Sequence, residues 1–171
     1  MVHEDFSALK AILSDRETMK FYPKPYDDEG VNRWISWCQS SQEKWGFSLF
    51  AVILKETGQM IGDTGVSMQN IHGRLVPEIG YHINKRYWRQ GYATETTQAV
   101  KDWLFSHFAF DDVYSYMDKD NIASAKTALS NGMTLVDSYR DAHGEDLLVY
   151  RITREEWIKE KTKTKGVSEA L

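Results

Sequence analysis

The chain has 171 residues, 42% of them hydrophobic and 27% charged, with a formal net charge of −4. That composition supports one domain with a real core and excludes a disordered polymer. The mildly acidic balance speaks against broad nucleic-acid binding; a lone Cys38 excludes an internal disulfide and a cysteine zinc cluster; and no apolar run approaches the ~20 residues that span a bilayer.

Phe6, Leu9, Ile12 and Leu13 recur at helical spacing, so the chain opens in a helix. Ser14 and Glu17 have the spacing of a capping box, which predicts a short second helix through Met19. Pro23 and Pro25 then force extended backbone, and Asp27 or Asp28 caps a helix whose stripe is Val31, Trp34, Ile35 and Cys38. Phe47 to Leu54 reads as a strand, Met60 to Met68 as a second, and Val76 to Ile83 as a third. A basic turn containing Gly91 leads into a helix ending near Phe108. A strand at Val113 to Met117 and a helix from Asn121 to Ser130, ended by Asn131-Gly132, come next. Met133 to Arg140 and Leu147 to Ile152 form the last strand pair. Thr153 and Glu156 make a further capping box for a C-terminal helix around Trp157. No repeat or linker divides the chain, so residues 1–158 are expected to form one domain and 159–171 a charged tail. His3, Glu4 and Asp5 do not suit a signal peptide, which makes the cytoplasm the expected compartment.

The organising stretch runs from Lys85 to Glu95, where a strand passes through a basic, glycine-containing turn into a helix. Such a turn gathers backbone N–H groups and a positive helix end, which suits a phosphate. Neither a GxxxxGK[ST] loop nor a GxGxxG fingerprint is present, so triphosphate and dinucleotide readings lose their usual support.

Glu78-Ile79-Gly80-Tyr81 followed by Tyr87-Trp88-Arg89-Gln90-Gly91-Tyr92-Ala93-Thr94-Glu95 resembles the coenzyme A signature of GNAT N-acetyltransferases, most closely the RimJ/RimL type. Asn121-Ile122-Ala123-Ser124 with Asn131-Gly132-Met133 resembles the family's second signature, and Val149 to Trp157 its usual ending. The resemblance implies an α/β fold: a mixed, mostly antiparallel central sheet, splayed at the cofactor site and flanked by helices. It also implies a first strand, missing or truncated here, with a native start upstream of Met1 as the other explanation. Arg89, Gln90, Gly91, Tyr92, Ala93 and Thr94 would hold the coenzyme A pyrophosphate. The backbone of Tyr81, His82 and Ile83 would pair with the pantetheine arm as an added strand does, and Asn121 would bond the arm from the other side.

The reaction implied is acetyl transfer from acetyl-CoA to an amine, either a protein N-terminal α-amine or a small molecule. An amine acceptor is mostly protonated at neutral pH, with a reference pKa of roughly 8 for an α-amine and 10.4 for lysine, so a base must take its proton. Glu78, just ahead of the cofactor segment, is where the family often carries that acid. A strand N–H near Ile83 would hold the oxyanion. Many relatives use a Tyr on the helix after the Asn to protonate the thiolate, but position 129 is Leu, which leaves Ser124 or water; Trp88 likewise replaces a phosphate donor. Tyr22, Tyr26 and Trp37 are expected to wall the acceptor pocket, Trp34 to be core, His72 and His82 to bind no metal, and His107 to be a satisfied surface histidine. Direct transfer is expected because nothing in the sequence activates Cys38 as a nucleophile. A non-catalytic acyl-CoA-binding module is the rival reading, in which Glu78 and Ser124 are structural. A monomer and a homodimer are equally compatible with the sequence.

Overall fold

The computed structural model describes residues 1–142 and 144–168, and for residues 164–168 the backbone alone. Position 143 of the expected hairpin loop and residues 169–171 of the expected tail lie outside the described residues. Six strands form one mixed sheet in the order β1-β2-β3-β4-β6-β5, with helices in between, as the α/β expectation required. The chain divides into two compact units, Met1–Ser67 with Ile79–Val100 and Met68–Glu78 with Lys101–Leu171.

In the first unit, α1 (Phe6–Leu13) buries Leu9, Ile12 and Leu13 against Val31 and Ile35 of α2 (Asp28–Trp45). Asp27 caps α2 by accepting from the Gly30 N–H at 2.7 Å, and Gly46 ends it at φ 79°, a left-handed conformation that suits glycine. The predicted short helix after α1 does not form. Asp15, not Ser14, takes the backbone donors, accepting from the N–H groups of Glu17 at 3.1 Å and Thr18 at 2.8 Å. The Ser14 hydroxyl instead donates to the Tyr26 carbonyl at 2.6 Å, so it is spent on the returning chain and a turn replaces the helix.

β1 (Leu49–Ile53) pairs antiparallel with β2 (Met60–Ile71), which runs three residues further than its apolar pattern suggests, into the His72–Gly73 turn. A Cβ on Gly65 would lie 2.1 Å from the Ser48 carbonyl oxygen, and one on Gly62 would lie 2.3 Å from that of His82. Both positions therefore require glycine for strand approach. β3 (Arg74–Ile83) leads through a single 3-10 turn, Lys85–Tyr87, to α3 (Tyr92–His107).

In the second unit, β4 (Asp112–Asp118) pairs antiparallel with β6 (Asp146–Thr153), which also pairs with β5 (Thr134–Arg140). Glu78 of β3 pairs in parallel with Tyr114 of β4. Between β4 and β5 lies α4 (Ile122–Ser130), capped by Asn121. The Thr153–Glu156 box forms as expected: each residue's backbone N–H meets the other's side chain, at 2.8 and 3.2 Å. It opens α5 (Arg154–Ser168), so residues 159–168 of the expected tail are helical. Arg154 donates to the carbonyls of Phe105 and Phe110 at 2.7 and 2.9 Å, and to that of Phe108.

Candidate active site

The backbone at the start of α3 has an unusual conformation. Arg89 and Gly91 both take left-handed conformations, at φ 60° and 87°, and alternate with Gln90. Such a turn directs successive N–H groups to one side, and α3 adds the first-turn N–H groups of Tyr92, Ala93 and Thr94, which have no helical partner. A Cβ on Gly91 would meet nothing within 4 Å, so the concave side is open. Arg89 and Gln90 are exposed, and Gln90 Nε2 donates to the Arg86 carbonyl at 3.1 Å, which steadies the loop. Underneath, Trp88, Tyr92 and Ala93 pack on Val52, Ile61 and Ile83, and Trp88 Nε1 donates to the Ile83 carbonyl at 2.7 Å. Trp88 thus anchors the loop to its own strand.

Strand alternation sorts the three residues ahead of that loop. The His82 N–H donates to Asp63 Oδ1 at 3.1 Å, and its carbonyl faces Gly62, so His82 turns its backbone toward β2. Tyr81 and Ile83 consequently turn theirs toward the opposite edge of β3.

The His82 side chain, expected from sequence only to bind no metal, is held by Asp63. Its Nδ1 lies 2.7 Å from Asp63 Oδ1, with 6% of the imidazole and none of the carboxylate exposed. Trp34 Nε1 donates to Asp63 Oδ2 at 2.8 Å, so this tryptophan is half-buried and polar in its duty rather than plain core. Tyr22 lies 5.1 Å from the His82 ring, Trp34 5.4 Å from it, and Trp37 stacks on Trp34 at 4.9 Å. Tyr26 meets Trp34 edge-on at 6.1 Å. Of the expected pocket walls, Tyr26 and Trp37 therefore lie against Trp34 and Tyr22 against His82, with Tyr22 and Trp37 reaching the surface. Asp63 escaped the sequence reading; the signal was an acid inside the buried run Ile61 to Val66.

In the second unit, Glu78 is buried at 8% exposure on β3. Burial, and then the Glu78 charge, push the Tyr116 phenol up to about 12. Asn121 Oδ1 accepts from the Ser124 N–H at 3.2 Å, bringing these two residues together and leaving the Asn121 amide nitrogen as a donor. Leu129 is exposed at 55% on α4. In the first unit, burial pushes the Cys38 thiol up to about 11 and keeps it a poor nucleophile.

Residues 1–134 match the family model described as an acetyltransferase (GNAT) domain. The chain belongs to the GNAT acetyltransferase family. Among its GNAT relatives, YkkB of Bacillus subtilis, an uncharacterized protein, is 32% identical over 122 residues, 71% of each chain. An uncharacterized N-acetyltransferase, p20 of Bacillus licheniformis, is 28% identical over 155 residues, 86% of this chain and 85% of that one. Aminoglycoside acetyltransferase AAC(6')-Ib, solved in complex with coenzyme A, shares the GNAT fold at TM-score 0.78 and 14% identity, over 94% of this chain and 96% of that one. No described helix is long and apolar enough to cross a membrane.

Proposed function

We propose that residues 1–158 act as an acetyltransferase that moves the acetyl group of acetyl-CoA directly onto an amine. The observation that carries this reading is the left-handed Arg89–Gly91 turn opening into α3, an anion cradle in a chain of the GNAT family. The cradle fits a pyrophosphate: its N–H donors converge, its concave side is open, and Arg89 adds a cation. Acetyl-CoA would supply the activated thioester. Arg89 to Thr94 hold the pyrophosphate, and the backbone of Tyr81 and Ile83 runs along the pantetheine arm, with the Ile83 N–H facing the oxyanion. The Asn121 amide donates to the same arm, and Ser124 returns a proton to the departing thiolate.

Glu78 serves as general base toward the acceptor nitrogen from a buried position on β3. Direct transfer agrees with the suppressed Cys38 thiol. The RimJ/RimL likeness of the turn points to an α-amine at a protein N-terminus, and the aromatic walls equally suit a small-molecule amine. Calorimetric titration with coenzyme A, followed by a thiol-release screen over small amines and peptides with free N-termini, tests the reading. Saturable binding together with release by at least one amine is expected. Binding without release by any amine makes the protein an acyl-CoA-binding module.

A further inference from the structure

The pair His82–Asp63 is the kind of arrangement that makes an imidazole a proton acceptor. Asp63 is wholly buried on β2 and receives three N–H donors: the His82 backbone at 3.1 Å, His82 Nδ1 at 2.7 Å and Trp34 Nε1 at 2.8 Å. A carboxylate can only accept, so the neutral imidazole carries its proton on Nδ1 and presents the lone pair of Nε2. Among the described residues, no hydrogen bond engages Nε2. The ring lies beneath Tyr22 and Trp34, and the rim of the cluster, Tyr22 and Trp37, is 42% and 36% exposed. Aromatic faces over a buried carboxylate attract a cation. An ammonium group is the cation an acetyl-transfer reaction must first neutralise.

We propose that His82, oriented by Asp63, takes the first proton from an acceptor ammonium bound among Tyr22, Trp34 and Trp37. The inference rests on the acetyl-transfer reading. An ammonium nitrogen sheds two protons on its way to an amide. The first passes to His82 Nε2 and gives an imidazolium paired with Asp63. The freed lone pair forms the C–N bond at the thioester carbon, and the carbonyl π electrons move to oxygen. Collapse restores C=O and breaks C–S with both electrons on sulfur. The nitrogen's second proton passes to the general base of that reading and on to solvent. The imidazolium proton reaches the thiolate through water, restoring His82. Tyr22 lies near the ring from the loop before α2, and Tyr26 and Cys38 feel the Asp63 charge. The Tyr26 phenol and Cys38 thiol are held protonated by burial, so neither competes for the proton near neutral pH.

Ethylamine and trifluoroethylamine test this, because they share a carbon skeleton while the fluorines leave the second a free amine at neutral pH. Thiol release from acetyl-CoA is measured with each. For His82→Gln, the ethylamine rate should fall about 100-fold relative to the trifluoroethylamine rate, the scale of a lost general base. Asp63→Asn, which keeps the side-chain volume, should shift the ratio in the same direction. Coenzyme A titration at wild-type affinity shows that each variant is folded. An unchanged ratio in both variants overturns the proposal, as does magnetic resonance of isotope-labelled histidine showing the Nε2–H tautomer in the wild type. Release by neither amine from a wild-type protein that binds coenzyme A overturns the acetyl-transfer reading itself.

Discussion

Asp63 grips His82 twice through one oxygen, at the backbone N–H and at ring Nδ1, 3.1 and 2.7 Å away. The double contact ties both the imidazole and its strand to one carboxylate, so the ring cannot turn without breaking the Nδ1 bond.

Trp34 supplies the remaining donor at 2.8 Å, from α2. Trp34→Phe keeps an aromatic body but leaves Asp63 Oδ2 buried without that N–H. A loss of about 1–3 kcal/mol is expected, the cost of an unsatisfied buried acceptor, read as a lower denaturant midpoint at unchanged slope.

Asp15 gives a pH prediction. The hydrogen bond from Lys85, followed by that from the Thr18 backbone, pulls its carboxyl from 3.8 to about 2. A lowered folded pKa stabilises the fold above the ordinary carboxylate value and loses that contribution as pH falls through the folded one. Thermal melts of wild type and Lys85→Met should therefore differ by a constant amount near neutrality. The gap should close between pH 3.8 and about 2.

Gly65 and Gly91 separate two meanings of glycine. Gly65→Ala drives a Cβ to 2.1 Å from the Ser48 carbonyl oxygen, and backbone must move. Gly91→Ala meets open space and pays only for φ 87°. Gly65→Ala should cost well over the ~1 kcal/mol expected of Gly91→Ala, while Gly91→Ala alone should weaken coenzyme A binding in a folded protein. Melting curves and calorimetry distinguish the two.

Glu78→Gln should leave coenzyme A affinity intact and lower amine turnover at neutral pH. The same variant should bring the Tyr116 phenol down from about 12 by a modest step, because burial, the larger cause, remains. Ultraviolet titration of the tyrosines reads that step independently of activity.

Two capping boxes show how far the sequence could be read. Thr153 and Glu156 form theirs through reciprocal bonds between neighbours in sequence, and Thr153→Ala should cost about 1 kcal/mol. Ser14 has the same spacing to Glu17 but spends its hydroxyl on Tyr26, twelve residues away, a partner that local spacing cannot reveal. The helices, strands and the Gly91 turn were legible because periodicity and turn chemistry are local. The His82–Asp63–Trp34 contacts were not, since they join positions 19 and 29 residues apart whose meeting depends on how β2, β3 and α2 pack. The proximity of Tyr22, Tyr26 and Trp37 to one another was legible only through family resemblance.

Arg154 has a consequence for dissecting the protein. The matched family segment ends at residue 134, yet Arg154 satisfies carbonyls at and beyond the end of α3, and β6 borders both β4 and β5. A fragment cut at the family boundary would leave those carbonyls bare and expose an unpaired flank of β4 ready to recruit a second chain. Such a fragment should aggregate rather than bind coenzyme A, so the smallest autonomous piece must extend at least into α5.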